Sequence, residues 1–547
     1  MARNLFWLVV LTLIPVWSSV RAAETFAYRS GSGDSATTFD IGPGGIERIS
    51  VGERSVAQGM LRLVDASWLT KTKGNGPAPD GFQKSVERLG KRRFRVLHES
   101  QDVSVSYLYC FDGEDVLVQA RVSNRAEIPL PAVDFTGLEF EFGDERTGYF
   151  MDFGRATLAG LARRGRGYHP SFENLIGGSC VANDAFGVGL SPQDAKLERT
   201  IFWWEKGRRL HYIVPKSVPA GGARTYAFRM RASKKTDWQH LLGPYRDYFR
   251  DAYGGVKYRV DRRPVAQYVA ADSAHGGPGT DNPLGWFFYR LSEEEGMRRF
   301  ARSASSLLDE ANGQGIIVWA LTGWNRRGVN YRPDFDVLPP GVVENLSLWR
   351  NIFGQSELRL GSLARPGQIV TPVSWEKDGT VELHSDSSSQ MKGQTRRFRR
   401  MMDRGFTLFY LDSFGTGLDD AITVKEFRKA MGSDVLVYCE YWTDVLMVYG
   451  GGYMEIMLNE NRDGYRDFWH RLRAWEIIRW LLPGAQAVAH TRRIRNVPDG
   501  LSSPEEFLYQ SGITPMFQIV GQDAKKAARL GELSRKYIEE ARSGEEQ

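Results

Sequence analysis

Two carboxylates, Asp412 and Glu440, each close a short apolar run, Phe409-Tyr410-Leu411-Asp412 and Val437-Tyr438-Cys439-Glu440. Acids beside aromatic rings suit work on a sugar, whose C–H faces stack on the rings while the acids handle the glycosidic oxygen. If the two runs are neighbouring parallel strands, about 4.8 Å apart, the carboxyls approach the ~5–5.5 Å separation that a double displacement with retention requires. Asp412, short and rigid, would then attack the anomeric carbon. Glu440, flanked by Tyr438, Tyr441 and Trp442, has apolar surroundings that favour a protonated carboxyl, and so a general acid. The competing assignment for Asp412 is a helix cap or an ion-pair partner. Asp419 and Asp420 are better placed as caps.

Other candidate residues follow other apolar runs. Asp272 either binds sugar hydroxyls or caps the Gly276-Gly277-Pro278 turn. Trp324, Trp375 and Trp442 are stacking candidates, with Tyr410 beside them, although tryptophan is often simply core. Asn459 and His490 are candidate hydroxyl partners, and Glu455, Glu460 and Asp463 are further acids in the same part of the chain.

These residues need a scaffold that gathers them on one rim. From 265 onward, near-continuous apolar runs alternate with helical stretches, which predicts parallel strands buried on both faces. The runs are 266–271, 315–320, 368–373, 407–411, 435–439, 453–457, 485–489 and 513–517. Eight of them make an α/β fold, a (β/α)₈ barrel with its site at the C-terminal strand ends. No strand leads into GxGxxG, which argues against a dinucleotide-binding sheet. The interval 331–368 reads as an irregular insertion, a lid or subsite element. The earlier part is different. Residues 103–109 and 116–122 alternate with period two, and Gly/Pro turns separate further short strands at 138–142, 199–204, 210–214 and 225–230. That pattern predicts an antiparallel β-sandwich. The expected organisation is a signal peptide at 1–22, a sandwich over 23–236, a helical linker over 237–264 and the barrel over 265–547.

The leader is predicted from Arg3 and Asn4, the apolar run 5–17 and Val20-Arg21-Ala22. The run falls short of the ~20 residues that span a bilayer, so a secreted or periplasmic protein with no membrane span is expected. The net charge of +6 is small for this length. Basic clusters such as Arg163-Arg164-Gly165-Arg166 lack any nucleic-acid motif, so a carbohydrate, not a nucleic acid, is the expected partner. No metal or cofactor is expected, because histidines are scattered and no zinc spacing occurs. Of Cys110, Cys180 and Cys439, the first two allow a disulfide and all three suit buried thiols.

The stretch 405–415, a strand ending Tyr-Leu-Asp-Ser, resembles the fourth-strand nucleophile region of retaining barrel α-glycosidases. A sandwich ahead of the barrel is similar to the α-galactosidase-like and endo-α-N-acetylgalactosaminidase-like glycoside hydrolases, whose sandwich is galactose-mutarotase-like. The resemblance implies an O-glycoside hydrolase acting on an α-linked glycan, with Asp412 as nucleophile. It implies an acid after strand five, Glu440, in the second group, and after strand six, where Asn459, Glu460 and Asp463 stand, in the first. The Arg-x-Asp pattern of α-amylases is absent, because Tyr410 occupies the arginine position. A transglycosylase and a non-catalytic glycan-binding protein with a degenerate barrel are the competing readings, and the presence of both acids argues against the latter.

Overall fold

The structure is a computed structural model that describes residues 24–545 apart from 66–81, 131, 143–146, 150–175, 195–199, 206–207, 215, 278, 324–334, 355–356, 367, 372–379, 384–387, 413, 415–417, 455–463, 495–496, 498–499 and 521–523. Its first half is two antiparallel sheets. One has seven strands and runs from Phe26–Ser30 at one edge to Ile201–Glu205 at the other; the second has eight and ends in the hairpin Gln83–Gly90 and Arg93–Glu99. The period-two pattern gives the expected result in Val103–Asp112, where buried and half-buried residues alternate. That strand turns at Gly113, φ 59°, into Asp115–Asn124 with Asp112 opposite Asp115, a left-handed turn position that glycine takes without strain. Phe39, Tyr107, Phe135, Trp204 and Tyr212 fill the space between the sheets.

Two short helices, Trp238–Leu241 and Gly243–Tyr253, follow. They press against the sandwich where glycines make room. A Cβ at Gly189 would come within 1.8 Å of the Leu241 carbonyl oxygen, and one at Gly178 within 2.6 Å of the Tyr245 ring. On the other side, the Trp238 ring meets Trp480 edge-on at 5.3 Å, and Arg246 lies over Trp480 at 4.8 Å.

The second half is a closed barrel of eight parallel strands: Val265–Val269, Gly315–Trp319, Arg359–Ala364, Phe406–Leu411, Leu436–Cys439, Gly451–Met454, Ala487–His490 and Thr514–Gln518. Alternate residues fill the interior, among them Val265, Ile317, Leu408, Tyr438, Val488 and Met516. The others pack outward on the helices. The segment 258–263 closes the N-terminal end. Tyr258 enters the interior cluster, and the Asp261 carboxylate receives Arg359 at 2.6 Å and Arg263 at 2.8 Å.

The structure corrects the third strand. Gln368–Thr371 is not in the barrel; it pairs with Thr380–Leu383 as a separate antiparallel ribbon. The interval 331–368 holds regular barrel elements instead: the helix Pro340–Phe353 and the true third strand, Arg359–Ala364. The reason is steric. A Cβ at Gly361 would meet the carbonyl oxygens of Ile316 and Leu408 at 2.7 and 2.9 Å, so close strand packing selects this glycine over the β-branched run that has the higher strand propensity. All three cysteines are free thiols, so Cys110 and Cys180 are not bridged. No helix among the described residues is long and apolar enough to cross a membrane.

Candidate active site

Strand alternation aims both acids at the barrel mouth. On the fourth strand Tyr410 faces inward and Leu411 outward, so Asp412 points inward. On the fifth, Tyr438 faces inward and Cys439 outward, which turns Glu440 inward as well. The two strands pair with Tyr410 opposite Tyr438 and Leu411 opposite Cys439. The ladder continues past the strand ends: Glu440 N donates to Leu411 O at 2.9 Å, and Tyr441 N to Phe414 O at 2.9 Å. Asp412 and Glu440 are therefore at one level on adjacent strands. Asp412 is buried, and Glu440 is half-buried.

The corrected third strand supplies a residue that the sequence reading missed. Asp412 N donates to Ala364 O at 2.9 Å, and Arg365, the next residue, donates from Nε to Asp412 Oδ2. Both side chains are largely buried. The cation that the Arg-x-Asp pattern would place two residues before the acid thus arrives from the neighbouring strand. A charge-assisted bond of this kind fixes the carboxylate's direction. The signal for it was the Ala364-Arg365-Pro366 end of a run too poor in β-branched residues to read as a strand.

Beneath the acids lies an aromatic floor. The Trp319 ring stacks on Tyr410 at 4.9 Å, Tyr410 meets Tyr453 edge-on at 5.2 Å, and Tyr453 meets His490 at 5.6 Å. Trp319 was not among the sequence candidates. Ala320 after it has φ 54°, a left-handed backbone that is strained for a residue with a Cβ and that clusters at functional sites. His490 closes the seventh strand at the mouth. Tyr410 is only 1% exposed, so it supports the site from below, a correction to its expected contact with sugar.

Trp442 is also corrected. It is 1% exposed in the outer core, against Trp475 at 6.3 Å and over Gly452, and no face is left for stacking on a sugar. Asp272 follows the first strand, but its Oδ1 accepts from Ala274 N at 2.8 Å and bonds His275 Nδ1 at 2.6 Å; it organises the local turn. Trp324, Trp375 and Asn459, with Glu455, Glu460 and Asp463, lie outside the described residues. Among the described residues no group of three His, Cys, Asp or Glu side chains is placed to hold a metal ion.

The loop that carries Glu440 is anchored to the first half of the molecule. Four residues on, Asp444 is fully buried and accepts from Gly177 N at 2.9 Å, from Val445 N at 2.7 Å and from the Tyr245 hydroxyl. Burial outweighs these bonds and pushes its carboxyl up to about 6 from 3.8. A raised acid is stabilising while protonated, and between pH 4 and 6 the unfolded chain ionises first, so the contribution of Asp444 to stability falls as pH rises through that window. The drop attributable to Asp444 is roughly 2–3 kcal/mol at 1.36 kcal/mol per unit. Asp444→Asn is expected to abolish it. Thermal unfolding of both proteins from pH 4 to 7 checks this, and parallel curves would contradict it.

No protein-family model matches this chain, and no curated protein matches it. Solved structures do. The α-N-acetylgalactosaminidase NagBb from Bifidobacterium bifidum, in complex with GalNAc, aligns with 93% of this chain and 93% of its own at 10% identity and a TM-score of 0.52. A quadruple mutant of NagBb gives 11% identity, the same coverage and a TM-score of 0.51. The GH36 α-galactosidase AgaB from Geobacillus stearothermophilus aligns with 95% of this chain and 86% of its own at 9% identity, with a TM-score of 0.48. In fold, an antiparallel sandwich followed by a closed eight-stranded parallel barrel, the chain resembles the α-glycosidase NagBb.

Proposed function

We propose that the chain is an exported glycoside hydrolase that cleaves an α-linked glycan with retention of configuration. The observation that carries this reading is the level placement of Asp412 and Glu440 on adjacent inward-facing strand ends, with Arg365 holding Asp412. Neighbouring strands ~4.8 Å apart leave no room for a water between sugar and base. In the first step an Asp412 oxygen attacks the anomeric carbon while Glu440 gives its proton to the departing glycosidic oxygen. In the second, Glu440 takes a proton from water, whose oxygen displaces Asp412 and releases the sugar. Resemblance to NagBb supports the α preference, and the leader expected at 1–22 supports export.

Proton NMR on an α-linked chromogenic glycoside tests the mechanism, because the first anomer released must be α. An initially β product would remove Asp412 as nucleophile and call for a more distant base. Binding without turnover across aryl α- and β-glycosides would replace the enzyme reading with a glycan-binding one.

A further inference from the structure

The loop after the first barrel strand carries an exposed aromatic pair. Phe287 is 39% and Phe288 57% exposed, whereas Leu89, Ile128 and Val343, the other large apolar side chains so exposed among the described residues, each stand alone in sequence. These two are held firmly. Phe287 N donates to Ala270 O at 2.8 Å and Asp272 N to Gly285 O at 2.9 Å, which extends the strand as a short antiparallel ribbon. The N–H groups of Phe288 and Tyr289 donate to the Tyr268 hydroxyl at 3.3 and 3.0 Å. Trp286, between them and the core, is buried and donates to Ser292 Oγ at 3.0 Å.

A rigid apolar patch in water calls for an occupant. Polar groups flank it: the His275 ring lies 4.2 Å from Phe287 and is bonded to Asp272, and both side chains are partly open to solvent. Apolar faces with a carboxylate and an imidazole at their edge match the C–H face and hydroxyl rim of a pyranose. All eight strands are parallel, so this loop and the two acids share the C-terminal face of the barrel. In the closed strand order the first strand stands opposite the fifth, which carries Glu440. A ligand spanning both must be longer than one sugar.

We infer that Phe287 and Phe288 form a second sugar subsite, which takes a distal pyranose of an oligosaccharide whose reacting bond lies between Asp412 and Glu440. The identity of the reacting end rests on the proposed function; the subsite itself is a matter of binding. The test is equilibrium binding of the full chain to an array of α-linked mono- to hexasaccharides, with wild type, F287A/F288A and Phe288→Trp. Wild type prefers the longer glycans. The double variant loses about tenfold for them, the worth of two ring contacts, and nothing for monosaccharides, while Phe288→Trp keeps the affinity. Hydrolysis of p-nitrophenyl α-glycosides stays at the wild-type rate in F287A/F288A. Wild type that shows the length preference yet hydrolyses nothing would defeat the catalytic reading and leave the subsite standing. Wild type without length preference or without any glycan binding, or a double variant that binds every glycan as wild type does, overturns the subsite.

Discussion

Replacing Asp412 with glycine is expected to lower kcat/KM by at least about a hundredfold while leaving the fold intact. The fold survives because Asp412 lies beyond its strand, and its backbone bond to Ala364 O remains available to glycine. Added azide should restore part of the rate. The space vacated by the carboxylate borders the Arg365 guanidinium, which favours a small anion there, and attack from that side yields a glycosyl azide of inverted configuration. The measurement is the rate with and without azide, together with the configuration of the azide product. Hydrolysis at the wild-type rate would remove Asp412 from the chemistry.

A leaving-group signature distinguishes Glu440. Glu440→Gln cannot donate a proton, so glycosides with sugar alcohols as leaving groups should slow by about 10²–10⁴-fold, the usual worth of general acid catalysis. Activated aryl glycosides, whose leaving groups depart without a proton, should lose far less in the first step. Equal losses across a leaving-group series would put the acid elsewhere, with Glu460 and Asp463 the next residues to replace.

The sequence by itself determined the two halves and the strand-end positions of Asp412 and Glu440. Period-two alternation in 103–122 and continuous apolar runs after 265 are consequences of burial on one face or on two, and burial patterns are local enough to read. Asp412 and Glu440 were legible because each terminates such a run, and a parallel barrel collects strand ends on one face. What only the tertiary structure decided depends on neighbours distant in the chain. The third strand was misplaced because Gly361 is selected by carbonyls of Ile316 and Leu408, a constraint that propensity does not contain. With that strand went Arg365, whose role exists only because Ala364 pairs with Leu411 and so brings the guanidinium to Asp412. Trp442 and Tyr410 were misread for a related reason. An aromatic side chain next to a strand end packs into the core or opens to a ligand according to which way one residue's alternation turns it and what stands opposite. For Trp442 that is Gly452, and for Tyr410 it is the rings of Trp319 and Tyr453.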